Sequence, residues 1–373
     1  MKRTPALLLS LMMLLAACAG ADDPEAEPAA AGADDTGAAD TDTDTADDGD
    51  AAPADPDDLE RLVIAEPVHG IGYLPMYVSK EEGFFAEEGL DVEFTTLAGG
   101  GHANALLAGE AWAFIGGPES GAVANVRGAD TITVANVVNR GNVYLVARPD
   151  LDIDIREYDL DEIGEILAGR SIVTGRYGGT PNAIFRHVLM ENGLDPATDV
   201  ELTEVDDSGA ILASMAQGGY DFALTTEPQL TQGIDEGIWS EVVFNAPQQL
   251  GPYAYSAIVT SRSNLEEDPE LAERFIRGLV RGQQLVETDP DRALQIAAAE
   301  FPSMDEELMQ VTMDRSYTDG LWESSAVDAT VVGVALDVAR SGEILNDEDD
   351  PIATSDMYTP EYVDRVMEEL GVS

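Results

Sequence analysis

From Glu60 onward, short apolar runs of strand length alternate with longer runs whose apolar positions recur every three or four residues. "RLVIAE" (61–66), "LDVEFTTL" (90–97), "AWAFIGG" (111–117), "TITVANVV" (131–138) and "NVYLVAR" (142–148) read as strands. Between them, "YLPMYVSKEEGFF", "HANALLAGE" and "PESGAVANVRG" read as helices. Strands this apolar, alternating with helices, predict a mostly parallel α/β sheet covered on both faces.

A second set begins near Asp150. "RSIVTG" leads into "NAIFRHVLMENG", which stops at Asn192-Gly193. "DVELTEV" leads to "GAILASMAQGG", "DFALTT" to "PQLTQGIDEG", and "EVVFNA" follows. "AYSAIVTSRS" then reads as a strand leaving this set, ahead of a long helix-rich tail from Pro269. The folded part exceeds one ordinary core, which predicts two lobes. Two crossing runs, "NVYLVARPD" and "YSAIVTSRS", bracket the insert. The expected division is residues 59–148 plus 259–373 for lobe 1 and 149–258 for lobe 2. A few residues at each crossing would act as hinges.

The first 58 residues follow another pattern. "MKRTPALLLSLMMLLAAC" has two basic residues, an apolar run too short for a lasting span, and small residues before a cysteine. It resembles a bacterial lipoprotein signal (1–18) that would leave Cys18 lipidated. The cell would then hold the protein on the outer face of its membrane through the lipid alone. Residues 19–58 have no base and no aromatic residue. Such a segment cannot offset chain entropy by burial, so it reads as a disordered acidic tether reaching about 35 Å or more.

Charge narrows the partners. The net charge is −54, and Lys80 is the only lysine beyond the signal. A surface this acidic repels nucleic acid and anionic lipid heads, and it fits a salt-adapted protein kept hydrated by carboxylates. Cys18 is the only cysteine, so disulfides and thiolate metal sites are excluded.

Candidate chemistry gathers at strand ends. "GGPES", "GGTPN" and "TTEPQ" each stop a β-rich run at Gly, Thr or Glu in an N-cap position, with proline opening a helix. The first N–H groups of such helices point toward the carboxyl ends of the strands, where open α/β sheets bind ligands. "TGRYGGTPNAIF" is not a phosphate loop, since no lysine follows its glycines. It lets bare backbone approach a small polar ligand, with Arg176 and Tyr177 beside it, or else it is a plain connection. His69 follows the first strand, His102 reads as a cap or surface residue, and His187 as structural. No histidine has a partner at zinc spacing, so no metal is expected. Glu119 and Glu227 are a conceivable acid/base pair, though helix starts favour them as caps. With no Gly-x-Ser-x-Gly and no nucleophile–base set, no catalytic residue is assigned and no enzyme is expected.

The stretch "VHGIGYLPMYVSKEEGFFAEEGLDVEFTTLAGGGHANALLAGEAWAFIGGPE", above all Leu74–Phe94, resembles solute-binding proteins of ABC importers. The group it resembles serves aliphatic sulfonates, taurine, nitrate and thiamine-pyrimidine precursors. "MAQGGYDFALTTEP" looks like the matching element of the second lobe, and the resemblance covers roughly 60–340. It implies a two-lobed periplasmic-binding fold of the two-crossover type, a monomer without cofactor that delivers its solute to a permease with a cytoplasmic ATPase. Eukaryotic relatives that make the thiamine pyrimidine carry a cysteine-rich motif that this chain lacks, so that activity is not expected. By position, the implied ligand contacts are His69, Tyr73, Gly117, Glu119, Ser120, Asn139, Arg140, Arg176, Gly179, Thr180 and Glu227. Tyr73 would stack a planar ligand or pack beside its loop. Arg140 and Arg176 favour a sulfonate-like or taurine-like anion; Tyr73, Tyr177 and the two glutamates favour a thiamine-pyrimidine-like heterocycle, toward which the balance tips. A surface enzyme acting on a similar molecule, or a sensor subunit, are the alternative readings.

Overall fold

A computed structural model describes residues 59–348 and 351–372. The signal, Cys18 and the tether lie outside the described residues. The first lobe opens with β1 (Glu60–Glu66), α1 (Leu74–Glu81), α2 (Phe84–Glu87), β2 (Leu90–Thr96), α3 (Gly101–Leu107), β3 (Ala113–Gly116), α4 (Pro118–Val126) and β4 (Thr131–Arg140). The chain crosses at 141–143 into β5 (Tyr144–Ala147), α5 (Gly164–Leu167), β6 (Ser171–Gly175), α6 (Thr180–Glu191), β7 (Glu201–Val205), α7 (Ser208–Ala216), β8 (Phe222–Thr225), α8 (Gln229–Asp235), β9 (Val242–Asn245) and α9 (Ala246–Leu250). It returns in β10 (Pro252–Ser261), then runs through α10 (Arg262–Glu267), α11 (Pro269–Thr288), α12 (Pro290–Glu300), α13 (Glu306–Thr318), α14 (Ala329–Ser341) and α15 (Glu361–Leu370).

Two five-stranded sheets result, ordered β2-β1-β3-β10-β4 and β7-β6-β8-β5-β9. In each, four strands share one direction and the fourth in order is reversed: β10 in the first and β5 in the second. Each reversed strand is the one fed in from the other lobe, which is the two-crossover arrangement expected. The crossings fall earlier than the expected division: β5 belongs to the second sheet, and all of β10 to the first. Hydrophobic pattern reports burial, not which sheet a strand joins. A run such as "NVYLVAR", buried on both faces, fits either sheet.

Each sheet has its own core. Ile64, Val92, Ile115 and Val134 of the first form one core with Met76 of α1 and Ile276 of α11, and Phe85 of α2 stacks on Phe275 of α11 with ring centres 5.3 Å apart. Ile172, Leu224 and Phe244 of the second pack with Ile184, Phe185 and Val188 of α6. The last strand in the first order, β4, is covered on its far side. Thr133 N donates to Met357 O and Thr133 O accepts from Thr359 N, so the C-terminal stretch caps an edge that could otherwise pair with another chain. The tail also ties the lobes together: Ala335 and Val338 of α14 enter the core of the second lobe. Asp residues cap its helices, Asp305 accepting from Leu308 N and Asp328 from Thr330 N and Val331 N. No described helix is long and apolar enough to cross a membrane.

Candidate functional site

One cleft of about 1240 Å³ separates the two sheets. From the first lobe it is walled by Pro67–Tyr73 after β1, the Ala98–Gly100 loop, His102, and Glu119 with Ser120 at the start of α4. From the second lobe come Gly175–Asn182 ahead of α6, Asp206–Gly209 ahead of α7, and Leu224–Gln229 after β8. All these segments follow strands of the shared direction, so helix starts and strand ends from both lobes meet there.

Glu119 is the most unusual group. It is 2 % exposed, and its Oε1 accepts from Thr180 Oγ1 at 2.5 Å, a hydrogen bond between the first turns of α4 and α6 and therefore between lobes. Its Oε2 is buried without a partner. Burial pushes the carboxyl up to about 7, against the Thr180 hydroxyl and its own backbone N–H, which hold it down. Gly117 makes room for this: a Cβ there would stand 2.0 Å from the carboxylate.

His102, expected as a cap or surface residue, is buried in the cleft wall. Gly99 and Gly100 (φ 71° and 83°) turn the chain so that α3 starts at Gly101, and the ring tucks edge-on against Phe114 at 5.3 Å. Its Nδ1 has no partner, and burial pushes the imidazole down to about 4, helped by the charge of Arg176. Arg176 reaches from the second lobe to within 3.8 Å of the place a Gly99 side chain would occupy. Three arginines form no ion pair among the described residues, and Arg127 and Arg176 of these line the cleft. Asn142 Oδ1 and Asn182 Oδ1 are likewise buried in the wall without partners. Both N–H groups of Asn182 are used, one on Gly175 O and one on Glu204 Oε1.

The other expected contacts divide. Tyr73 is buried beside the cleft, where burial pushes its phenol up to about 12 while its hydrogen bond to Ser256 opposes the shift. Ser120, Gly179 and Thr180 line the cleft, with Gly179 rather than Thr180 as the N-cap of α6. His69 sits at its edge, Nδ1 3.2 Å from Glu66 and Nε2 3.3 Å from Glu300, packed on Tyr77 and Phe301. Glu227 lines the cleft, but its carboxylate is spoken for: it accepts from Thr231 N, Thr231 Oγ1 and Arg315 Nε. Burial still pushes that carboxyl up, against those partners. The N-cap of α8 is Pro228, not Glu227.

Three expected contacts lie elsewhere. Gly117 sits beneath the Glu119 carboxyl, outside the cleft lining. Asn139 points into the tail, donating to Ser324 O and accepting from Ser324 N. Arg140 pairs with Glu323 at 2.5 Å. Both are pulled away by the segment after α13, whose approach to β4 leaves no local mark in the "VANVVNR" stretch. Asn142, Tyr255 and Ser256 were missed as lining residues for a related reason, since Asn142 lies on the crossing after β4 and the other two inside β10, the strand fed in from the second lobe, and both stretches look like ordinary strand. His187 is structural as expected, 2.6 Å from Ser341 Oγ. No group of three His, Cys, Asp or Glu among the described residues could hold a metal ion.

The NMT1/THI5-like family model matches residues 71–293, so the chain belongs to that family. YtlA of Bacillus subtilis strain 168 is 28% identical over 261 residues, covering 69% of this chain and 75% of that protein. The periplasmic nitrate-binding protein NrtA of Synechocystis PCC 6803 superposes with a TM-score of 0.69 at 15% identity, covering 84% of this chain and 90% of that one. The desulfurization enzyme DSZB shares the fold at a TM-score of 0.60 and 14% identity, covering 83% of this chain and 99% of its own.

Proposed function

We propose that this protein is the extracytoplasmic solute-binding receptor of an ABC importer, held at the membrane by a lipid on Cys18 and handing its solute to a permease. One observation carries the reading. The two lobes close on a single cleft whose buried wall holds four polar atoms with no protein partner: His102 Nδ1, Glu119 Oε2, Asn142 Oδ1 and Asn182 Oδ1. A buried polar atom left unpaired costs about 1–3 kcal/mol, so a wall of them is stabilised by whatever molecule pairs with them. Family membership and the nitrate-binding fold neighbour support the same class.

The chemistry of the wall favours an organic solute with N–H or O–H donors. Three of the four unpaired atoms are oxygens, and a bare anion such as nitrate offers them nothing. The cleft is also wide for so small an ion, being larger than the pockets of about 300–1,000 Å³ that enclose drug-sized ligands. Arg176 accommodates an acidic group on the same molecule. A monomer suffices, since both walls come from one chain. The enzyme neighbour supports surface catalysis as a second reading, which recovery of unaltered solute after long incubation would reject.

Titration calorimetry with 4-amino-5-hydroxymethyl-2-methylpyrimidine, ethanesulfonate and nitrate tests the assignment. The aminopyrimidine is expected to bind at micromolar strength or tighter, about −8 kcal/mol or better. Tight binding of nitrate with no heat from the aminopyrimidine would overturn the donor-bearing class.

A further inference from the structure

We propose that Glu119 and Thr180 form a proton-held latch that favours the closed cleft. The hydrogen bond between them is the direct side-chain link across the inner cleft, joining the first turn of α4 in one lobe to the first turn of α6 in the other. The geometry is built for it: Gly117 leaves space under the carboxyl, and Gly179 caps α6 so that Thr180 is its first residue. In the latched position Glu119 is buried and Oε2 has no partner, so a charge there is held only by the Thr180 hydroxyl and its own backbone N–H.

That arrangement favours the protonated acid. The groups around it do not offset this. Tyr253 and Tyr255 of β10 feel the Glu119 charge, which raises both their phenols further after burial has already done so. His102 of α3 is held neutral by burial, and Arg176, in the loop ahead of α6, acts on His102. None of the four hydrogen-bonds to Glu119. Opening the lobes returns the carboxyl to water and to its ordinary range. Closure therefore takes up a proton, and opening gives it back to solvent. The sign follows: the closed carboxyl titrates near 7 against 4.5 in the open form, so closure is favoured below about 4.5 and loses that support as pH rises through 7. A solute N–H or O–H that takes Oε2 would restore closure at higher pH by pairing the carboxylate.

Lobe closure as the working motion is taken from the receptor reading above, but the latch needs no solute, so ligand-free protein tests it. Spin labels on cysteines placed at Glu110 and Gln217, both exposed and on different lobes, report the interlobe distance. In the wild-type background the short distance should dominate at pH 5. The closed-to-open ratio should fall by more than about tenfold by pH 8. Glu119→Gln keeps the shape without the titration and should stay closed at both pH values. Thr180→Val removes the hydroxyl and should populate the open distance at both, with circular dichroism confirming that each variant is folded. A wild-type distance unchanged between pH 5 and 8, or a Glu119→Gln variant that still follows pH, overturns the latch. Solute binding that persists alongside either result would leave the receptor reading standing.

Discussion

The ion pair between Arg315 and Glu227 shows how one side chain can look like a ligand contact and serve another purpose. Glu227 follows β8 at a strand end that lines the cleft, yet its carboxylate is only 7 % exposed and holds Arg315 Nε at 2.7 Å together with two groups of Thr231. It fastens the second lobe to α13. Arg315→Met should cost about 2–3 kcal/mol in urea denaturation, less than a fully buried pair because the guanidinium is partly exposed. Losing Arg315 raises a carboxyl that burial already pushes up, so Glu227 can then take a proton when the pH is lowered. The loss should therefore be smaller at pH 5 than at pH 8. Residue type and position relative to a strand were enough to place Glu119, Thr180 and Arg176 beside the cleft. They could not separate Glu227, whose partner lies 88 positions away, from a free acid.

Helices and strands were the most legible scale. Apolar spacing located β1 to β4 and the tail helices, because each buries one stripe or both faces of a run. Sheet membership was less legible, since β5 and β10 read the same whichever lobe they join. Close approach between elements is also silent in a hydrophobic pattern. On α11, Gly282 faces α1, and a Cβ there would stand 2.0 Å from Ser79 Oγ and 2.4 Å from the Pro75 carbonyl. The Ser79 hydroxyl itself donates to Pro75 O and Gly278 O, fixing the pair of helices in register. Because backbone blocks the new atom, Gly282→Ala must push the helices apart. An overpacking cost of about 2 kcal/mol is expected, read as a lower melting temperature with Glu119 chemistry untouched.

At the scale of the whole molecule, two sheets exchange one strand each and the C-terminal helices bind both. The lobes can then move only about the short crossings at 141–143 and at the end of α9, with α14 as a shared wall. The length and strand–helix order predicted two lobes, and the strand ends predicted where they meet. What remained hidden were groups on the crossings and those drawn in by the tail, such as Asn142 and Asn139. The large negative charge extends to the cleft, whose lining holds Glu119, Asp206, Asp207 and Glu227 against Arg127 and Arg176, two arginines without an ion pair among the described residues. On the proposed function, both lobes grip one solute in that cleft. A crystal structure of the protein with 4-amino-5-hydroxymethyl-2-methylpyrimidine tests it most directly. Density is expected between the lobes, with a donor on Glu119 Oε2 and contacts from Asn142 and Asn182; density outside the cleft, or touching one lobe alone, would rule out a two-lobed grip.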